Sequence, residues 1–426
     1  MPTLAELTRV FARIGCLSFG GPAGQIALMQ REIVDERGWI EQGAFLRALN
    51  LCHLLPGPEA QQLATWIGWR LHGVRGGLIA GLLFVLPGAA VMLALSLLYV
   101  AAAGLHWFAA LFLGVKAAVL ALVVQALLRV ANRALGTRFK LVLAALAAAA
   151  LTLLHAPFPL VIVTAGLVGA AVTRWRPDWL GAHHVAPSSA PLQSPRRLVA
   201  ATFVTIAVWL AIWALPLGLV FVLLGPDHVL WQLGLFFSRL AVVTFGGAYA
   251  VLAYMAQAAV GGFGWLSPGE MADGLGLAET TPGPLIMVTQ FVGFIAAWRH
   301  PGVLSPLVAG LLGASLTTWV TFAPCFLWIF ACAPWMERLE HAERLQGALA
   351  AITAAVVGVI ANLALWFALH VLFRTVSEAG LPVLSSLDWR AASIAVGASL
   401  MLFTLKRGIM PTLALSAAAG LALSAF

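Results

Sequence analysis

The sequence predicts an all-α, polytopic membrane protein built from two inverted-topology repeats with broken helices, joined by a connecting transmembrane helix. Three observations support this fold class: an apolar composition, long apolar runs, and a motif pattern that recurs at one constant spacing. Of the 426 residues, 62% are hydrophobic and 9% are charged, whereas soluble proteins carry roughly 25% charged residues. So few charges cannot cover a water-facing surface, and we therefore expect the chain to lie in a bilayer.

The candidate membrane spans are apolar runs, most of them close to or above the ~20 residues that a helix needs to cross a bilayer. They are Gly77–Ala103, Trp107–Val130, Lys140–His155, Leu160–Val172, Leu198–Leu224, Val303–Ala333, Leu345–Leu372, Ala391–Leu405 and Ile409–Ala425. The polar stretch 174–197 contains proline and serine and is predicted to be a cytoplasmic linker. The predicted domains are an N-terminal repeat (1–173), this linker, the connecting helix (198–224) and a C-terminal repeat (225–426).

Two less apolar regions are related by an internal duplication. Phe11–Gly21 matches Phe237–Gly247 at an offset of 226 residues (237 − 11). The same offset relates the Pro56-Gly57-Pro58 segment to Pro282-Gly283-Pro284. Arginine, tryptophan, glycine and proline would not keep one register over residues 11–58 by chance similarity of apolar composition.

Loop charge predicts that the second repeat is inserted upside down. Lysine and arginine concentrate in cytoplasmic loops, and the first half has basic residues at 129–140 and in the linker. Its turn HAPFP at 155–159 is nearly uncharged, but the corresponding turn of the second half carries Lys406 and Arg407. Inverted repeats with interrupted helices are typical of secondary transporters with a binding site near the midplane.

Glycine and proline break both duplicated regions twice, at Gly20-Gly21 and Gly246-Gly247 and again at the two Pro-Gly-Pro segments. Irregular backbone at membrane depth is tolerated where it is buried in protein or lines a cavity. Helix N-termini exposed there present free N–H donors and partial positive charge, which favours an anion site. The alternative is that these segments are turns between helices at the membrane surface.

Charged residues supply further candidates. Arg13 and Arg239 occupy equivalent positions, and their guanidinium groups suit bidentate recognition of an oxyanion, or else extend to the interface. Lys116 lies well inside a span, where a lysine is predicted to bind an anion or to neutralise a carboxylate such as Glu59. His53 and Glu59 are the candidates for proton coupling.

The first half is richer in polar groups, because Glu59, Gln61 and Gln62 follow its Pro-Gly-Pro segment where the second half has apolar residues. We therefore expect asymmetric substrate contacts that the N-terminal half dominates. The predicted substrate-binding residues are Arg13, Ser18, Gly20, Gly21, Gln25, Pro56, Gly57, Glu59, Gln61, Gln62, Lys116, Arg239, Thr244, Gly246, Gly247 and Gly283.

Other classes of function have little support in the sequence. The four cysteines are scattered without a CxxC pair, so we expect neither a disulfide framework nor a metal or cofactor site. The net charge of +8 is interpreted as basic cytoplasmic loops, not as a nucleic-acid surface. Histidine, aspartate and glutamate are sparse, and no Walker-type motif is present. An enzyme is therefore not predicted.

The motifs FARIGCLSFGGPAGQIALMQREIV (11–34) and LLPGPEAQQLATWIGWRLHGVRGG (54–77), with the repeated TFGG and TPGP segments, resemble the chromate ion transporter family in its long two-domain form. This resemblance covers nearly the whole chain. It implies a multi-pass protein of the bacterial cytoplasmic (inner) membrane that exports chromate and confers chromate resistance, with sulfate as the structural competitor.

The resemblance leaves other functions open. One is a sulfate or other anion exchanger that carries chromate incidentally, and another is a non-transporting membrane enzyme or subunit. The expected partners are a chromate- or sulfate-like oxyanion and the lipid bilayer but no nucleic acid, and a homodimer is left open. A dianion leaving an inside-negative cell would gain roughly 4.6 kcal/mol at 100 mV, so membrane potential or ion exchange is the expected driving force.

Overall fold

The computed structural model describes residues 1–19, 21–102, 104–180, 195–245, 248–336, 342–377 and 381–424, with backbone alone at 195–197 and 248–250. Within these ranges the chain forms sixteen α-helices, and its only extended pairing is two isolated bridges. Six of the described helices are long and apolar enough to cross a membrane. The predicted all-α, polytopic membrane fold is therefore confirmed.

Of the sixteen described helices, seven belong to the first half and nine to the second, counting the connecting helix with the second. The first seven are α1 (Leu4–Leu17), α2 (Gly21–Gln30, continued by a π turn to Asp35), α3 (Gln42–Leu54), α4 (Glu59–Ala102), α5 (His106–Ala134), α6 (Arg138–Leu153) and α7 (Phe158–Trp175). A short 3-10 turn, Pro177–Leu180, follows α7. Most of the predicted linker lies outside the described residues.

The connecting helix begins at Pro195, slightly before the predicted span. The helices are α8 (Pro195–Leu224), α9 (Val229–Val243), α10 (Ala248–Gln257, continued by a π turn to Gly262), α11 (Pro268–Thr280), α12 (Val288–Arg299), α13 (Pro306–Cys332), α14 (Glu343–Leu372), α15 (Trp389–Ser399, continued by a π turn to Thr404) and α16 (Ile409–Ser424). A 3-10 turn, Leu285–Met287, leads into α12.

The duplicated regions have the same backbone structure. The 226-residue offset maps both ends of α3 onto the ends of α11. It also relates glycines of positive φ, pairing Gly38 (58°) with Gly264 (63°) and Gly57 (116°) with Gly283 (93°). Positive φ is readily adopted by glycine and strained in other residues. The turns of the two halves are therefore built in the same way.

Helix α4 consists of two helical segments that run in opposite directions. His72 and Gly73 leave helical geometry, with φ of 61° at Gly73. Beyond this turn the segments pack closely, since a Cβ on Gly68 would lie 2.1 Å from the carbonyl oxygen of Gly76. The segment 59–71, which we call the first half-helix, thus returns along the full-length helix that follows it. In the second half α12 packs against α13 in the same manner, with Gly293 opposite Gly313.

The two halves are packed into one another instead of lying side by side. Helix α14 of the second half contacts α5, α6 and α7 of the first. Helix α13 reaches the start of the long segment of α4, where Phe330 lies against Gly77 and Phe326 against Gly81. These contacts bring the broken segments of both halves into the interior.

Candidate functional site

The broken segments of the two halves meet through a reciprocal pair of backbone hydrogen bonds. The N–H of Gly57 donates to the carbonyl of Thr244 at 2.8 Å, and the N–H of Gly283 donates to the carbonyl of Ser18, also at 2.8 Å. Ser18 and Gly57 correspond to Thr244 and Gly283 at the 226-residue offset, so the two bonds are equivalent under the duplication. We call these four residues the crossing. The Pro-Gly-Pro segments are therefore buried inside the protein, which favours an internal site over turns exposed at the membrane surface.

Local structure directs the two carbonyls toward the opposite half. Ser18 and Thr244 end α1 and α9, and their hydroxyl groups donate back to the carbonyls of Ile14 and Leu240 at 2.6 Å. A hydroxyl that bonds one turn back uses a free carbonyl near the helix end. The carbonyls of Ser18 and Thr244 remain free to accept from the other half.

Glycine is required at position 57 for space as well as for conformation. A Cβ there would lie 2.9 Å from Sγ of Cys325 and 2.9 Å from Nε2 of Gln62. At Gly283 the same Cβ would meet backbone of α4 at 3.5 Å, around Gly88. The close approach of the two halves therefore depends on Gly57 more than on Gly283.

Two predicted glutamines lie against the crossing with a fixed orientation. The amide nitrogen of Gln25 donates to the carbonyl of Gly283 at 2.5 Å, and that of Gln62 donates to the carbonyl of Pro56 at 2.6 Å. Because carbonyl oxygens only accept hydrogen bonds, each amide must turn its nitrogen toward them. Both amide oxygens are buried and have no hydrogen-bond partner in the described part of the chain.

The first half-helix buries further unpaired polar atoms. Gln61 is 0% exposed, and neither its amide nitrogen nor its amide oxygen has a partner among the described residues. The indole N–H of the buried Trp66 is also unpaired there. A buried polar group without a partner costs about 1–3 kcal/mol. This concentration on one short helix indicates a binding site.

Trp66 was not among the predicted binding residues. In the sequence it is one of two tryptophans in the segment 59–71, and a tryptophan beside Ile67 fits a packed core as well as a binding site. The available signal was the duplication, since the equivalent residue in the second half is Val292, which cannot donate a hydrogen bond.

The first half-helix also presents its N-terminus near the crossing. It begins directly after Pro58, and the first N–H groups of a helix have no partner within it. They carry part of the positive end of the helix dipole. The site therefore combines backbone N–H donors with neutral amide and indole groups.

Lys116 does not lie beside Glu59. Its ammonium is 3.1 Å from Oδ1 of Asp273, a charge contact without hydrogen-bond alignment, and the hydroxyl of Tyr99 donates to Oδ2 at 2.7 Å. The idea that Lys116 neutralises a carboxylate holds, but Glu59 was the wrong partner. Asp273 is nearly 160 residues away on α11, so only the folded chain reveals the pair. The cluster joins α4 and α5 of the first half to the second half.

Arg13 and Arg239 are exposed residues on the helices that end at the crossing. Arg13 lies 3.7 Å from Glu32, a buried carboxylate that also accepts a 2.6 Å bond from Arg37. Arg239 makes no ion pair with any residue that the structure describes. The hydrogen bonds that define the crossing involve neither arginine.

His53 and Glu59 flank the first Pro-Gly-Pro segment. His53 is exposed, Glu59 is partly buried, and Arg133 is close enough for its charge to act on both.

Three predicted glycines, Gly20, Gly246 and Gly247, lie outside the described residues. Gly21 begins α2 with φ of 72°, and no atom lies within 4 Å of where its Cβ would be. Among the described residues, no group of three histidine, cysteine, aspartate or glutamate side chains is arranged to hold a metal ion.

Comparison with known proteins gives a consistent result. The model of the chromate transporter family matches residues 5–170 and 231–422. A chromate transport protein of Pseudomonas aeruginosa is 35% identical over 361 residues, which is 83% of this chain and 79% of the relative. A chromate transport protein of Cupriavidus metallidurans is 29% identical, covering 84% and 81% of the two chains. An uncharacterized transporter of Methanocaldococcus jannaschii is 24% identical, covering 87% and 86%. No solved structure matches.

Proposed function

The chain belongs to the chromate transporter family, and on that premise we propose that it carries chromate across the cytoplasmic membrane through a site at the crossing. It acts as a transporter and not as an enzyme. Two relatives that match most of the chain are named chromate transport proteins. Chromate, a tetrahedral oxyanion, is therefore the proposed substrate of the predicted anion site.

The reciprocal hydrogen bonds of the crossing carry this proposal. Gly57 to Thr244 and Gly283 to Ser18 bring the breaks of both halves together in the interior. Unpaired donors at Gln61 and Trp66 lie on the half-helix that starts there. Broken helices at a repeat interface, with polar groups directed to the substrate, are the usual arrangement of secondary transporter sites.

In the proposed mechanism the two halves are inserted with opposite orientations. The long segment of α4 begins beside the end of α13, since Gly77 meets Phe330 and Gly81 meets Phe326. The residue numbers rise along one helix and fall along the other, so these two helices are antiparallel. Equivalent hairpins then enter from opposite sides of the membrane, and rocking of one half against the other exposes the site alternately.

The proposed direction of transport is export, which would confer chromate resistance. Each negative charge that leaves an inside-negative cell gains about 2.3 kcal/mol per 100 mV of membrane potential. That gain drives export without a coupled ion, whereas uptake of an anion needs one. Exchange against sulfate or another anion is the second mechanism under this proposal.

The test is flux of radiolabelled chromate in proteoliposomes that contain the purified protein, with an imposed membrane potential. We expect potential-driven chromate movement. A second assay compares proteoliposomes with and without sulfate on the side opposite to chromate. It separates potential-driven export from anion exchange, because an exchanger moves chromate only when an anion is present on the opposite side.

Gly57→Ala and Gly21→Ala form a matched pair in this assay. Both glycines have positive φ, but the added Cβ meets other atoms only at position 57. We expect Gly57→Ala to lose most of the flux and Gly21→Ala to retain much more. Absence of chromate movement with wild-type protein under potential, pH-gradient and exchange conditions refutes the proposed function.

A further inference from the structure

The amide oxygens of Gln25 and Gln62 are hydrogen-bond acceptors whose direction the backbone fixes. Rotating either amide would place its oxygen against a carbonyl oxygen, that of Gly283 for Gln25 and that of Pro56 for Gln62. Each free oxygen therefore needs a donor, a group that carries a proton, from outside the described chain. An oxyanion without a proton cannot supply one.

The first half-helix carries hydrogen-bond donors in addition to the Gln62 acceptor. The indole nitrogen of Trp66 can only donate, and Gln61 offers both a donor and an acceptor. All four side chains are buried and electrically neutral. The unpaired atoms at the site thus match a ligand that accepts several hydrogen bonds and donates at least one.

The internal duplication shows that the fold itself does not need these polar groups. The equivalent positions in the second half are Val251, Met287, Val288 and Val292, which are all buried. The second hairpin therefore reaches the crossing with apolar residues in place of the amides and the indole. Buried amides without partners lower stability, and we attribute their presence beside the crossing in the first half to a ligand.

A tetrahedral dianion fits this site poorly. All its oxygens accept hydrogen bonds, so one or more would face the fixed oxygens of Gln25 or Gln62. No charged side chain is among the unpaired groups to offset two negative charges, and burying charge in a low-dielectric interior is costly. The same oxyanion with one proton attached carries one charge and one O–H donor.

We propose that the site binds the oxyanion in its monoprotonated form, hydrogen chromate, and selects it over sulfate through the amide oxygens of Gln25 and Gln62. This inference rests on the proposed function. Hydrogen chromate is a much weaker acid than hydrogen sulfate, so near neutral pH part of the chromate holds a proton and sulfate holds none. Sites that hydrogen-bond a substrate hydroxyl reject analogues that lack it, because the buried partner is then left unpaired.

The proton travels on the substrate, and no bond within the protein is made or broken. Each chromium exported by this route moves a single negative charge. A bare dianion would move two. Carriage of the dianion with a proton held on a protein carboxylate gives the same charge ratio, but it would serve sulfate equally well.

The experiment measures charge and chromium together in proteoliposomes of the full-length protein, with pH equal on both sides and varied between preparations. We expect a single charge per chromium. At fixed total chromate below saturation, we expect flux to fall about tenfold per pH unit once the dianion predominates. Two charges per chromium, flux independent of pH, or equal competition by sulfate overturns the inference but leaves chromate transport standing. No chromate flux at all overturns the proposed function itself.

Gln25→Val and Gln62→Val test the two acceptors, since each installs the residue that the second half has at that position. We expect the preference for chromate over sulfate to fall at least about tenfold in either variant. Unchanged preference in both variants overturns the assignment of these oxygens.

Gln290→Leu is the matched control. Its amide nitrogen also donates to a backbone carbonyl, that of Ala89 at 2.9 Å, and its oxygen is also unpaired among the described residues. It lines an apolar groove between α4, α8 and α13 instead of contacting the crossing. We expect the control to keep the wild-type preference, and a matching loss there would show that any buried amide has this effect.

Discussion

Lys116→Met removes the ammonium from the cluster that joins the two halves and leaves the side-chain length nearly unchanged. The carboxylate of Asp273 is 5% exposed and would keep only the hydroxyl of Tyr99 as a partner. At the observed 3.1 Å, the Coulomb energy of the pair is roughly 5 kcal/mol for an effective dielectric constant of 20. Lys116 is 24% exposed. Breaking a buried pair from one side costs about 3–5 kcal/mol, and we expect the lower end because water reaches the lysine.

Asp273→Asn breaks the same pair from the other side and should cost less. The remaining ammonium can turn toward water, as long lysine side chains do, and the asparagine can still accept from Tyr99. The double variant, Lys116→Met with Asp273→Asn, carries no unpaired charge. We therefore expect its stability to exceed that of Lys116→Met alone, with a coupling energy of about 2 kcal/mol between the two positions.

The assay is thermal unfolding of the four proteins in one detergent, with chromate flux measured on the same preparations. Mutual stabilisation should appear as non-additive changes in the midpoint of unfolding. Additive changes, or a Lys116→Met variant as stable as wild type, would refute the reasoning from the ion pair. A Lys116→Met variant that is as stable as wild type but transports no chromate would support the anion-binding role that the sequence predicted for this lysine.

Three further outcomes are expected. Arg13→Ala and Arg239→Ala should lower the rate of chromate capture at low ionic strength, with the deficit shrinking as salt screens the two exposed charges; a salt-independent loss would instead place the arginines in contact with the anion. Glu59→Gln should retain the pH dependence of flux, because the substrate brings its own proton. Loss of the pH dependence in this variant would assign the transported proton to Glu59. His53→Gln should likewise leave the pH profile in place, as measured by flux at a series of equal internal and external pH values.

Much of the fold could be predicted from the sequence, because the duplicated residues include glycines and prolines at positions with strict backbone requirements. Gly57 and Gly283 share a register, and so do the ends of α3 and α11, since glycine and proline decide where helices stop. The reversal at His72–Gly73 was harder to see. His72 and Gly73 lie in the stretch RLHGVRGG (70–77), just before the predicted span that begins at Gly77, and the residue types there do not show that the chain reverses its direction.

The site was less accessible, because its chemistry depends on which groups remain unpaired after folding. The sequence identified Gln25 and Gln62, but only the carbonyls of Gly283 and Pro56 determine which end of each amide is free. The partner of Lys116 depends on how two distant helices pack. The amino-acid composition does not indicate whether Glu59 or Asp273 is the partner of Lys116.

The reciprocal contacts at the crossing are those of an isologous interface, in which residue i of one copy meets j of the other and j meets i. Here both copies are in a single chain. Two separate, identical subunits would be obliged to carry the same side chain at both symmetric positions. Fusion removes that obligation, so one copy can keep valine at 251 and 288 for packing while the other places glutamine at 25 and 62. Covalent linkage thus permits an asymmetric binding site on a symmetric scaffold.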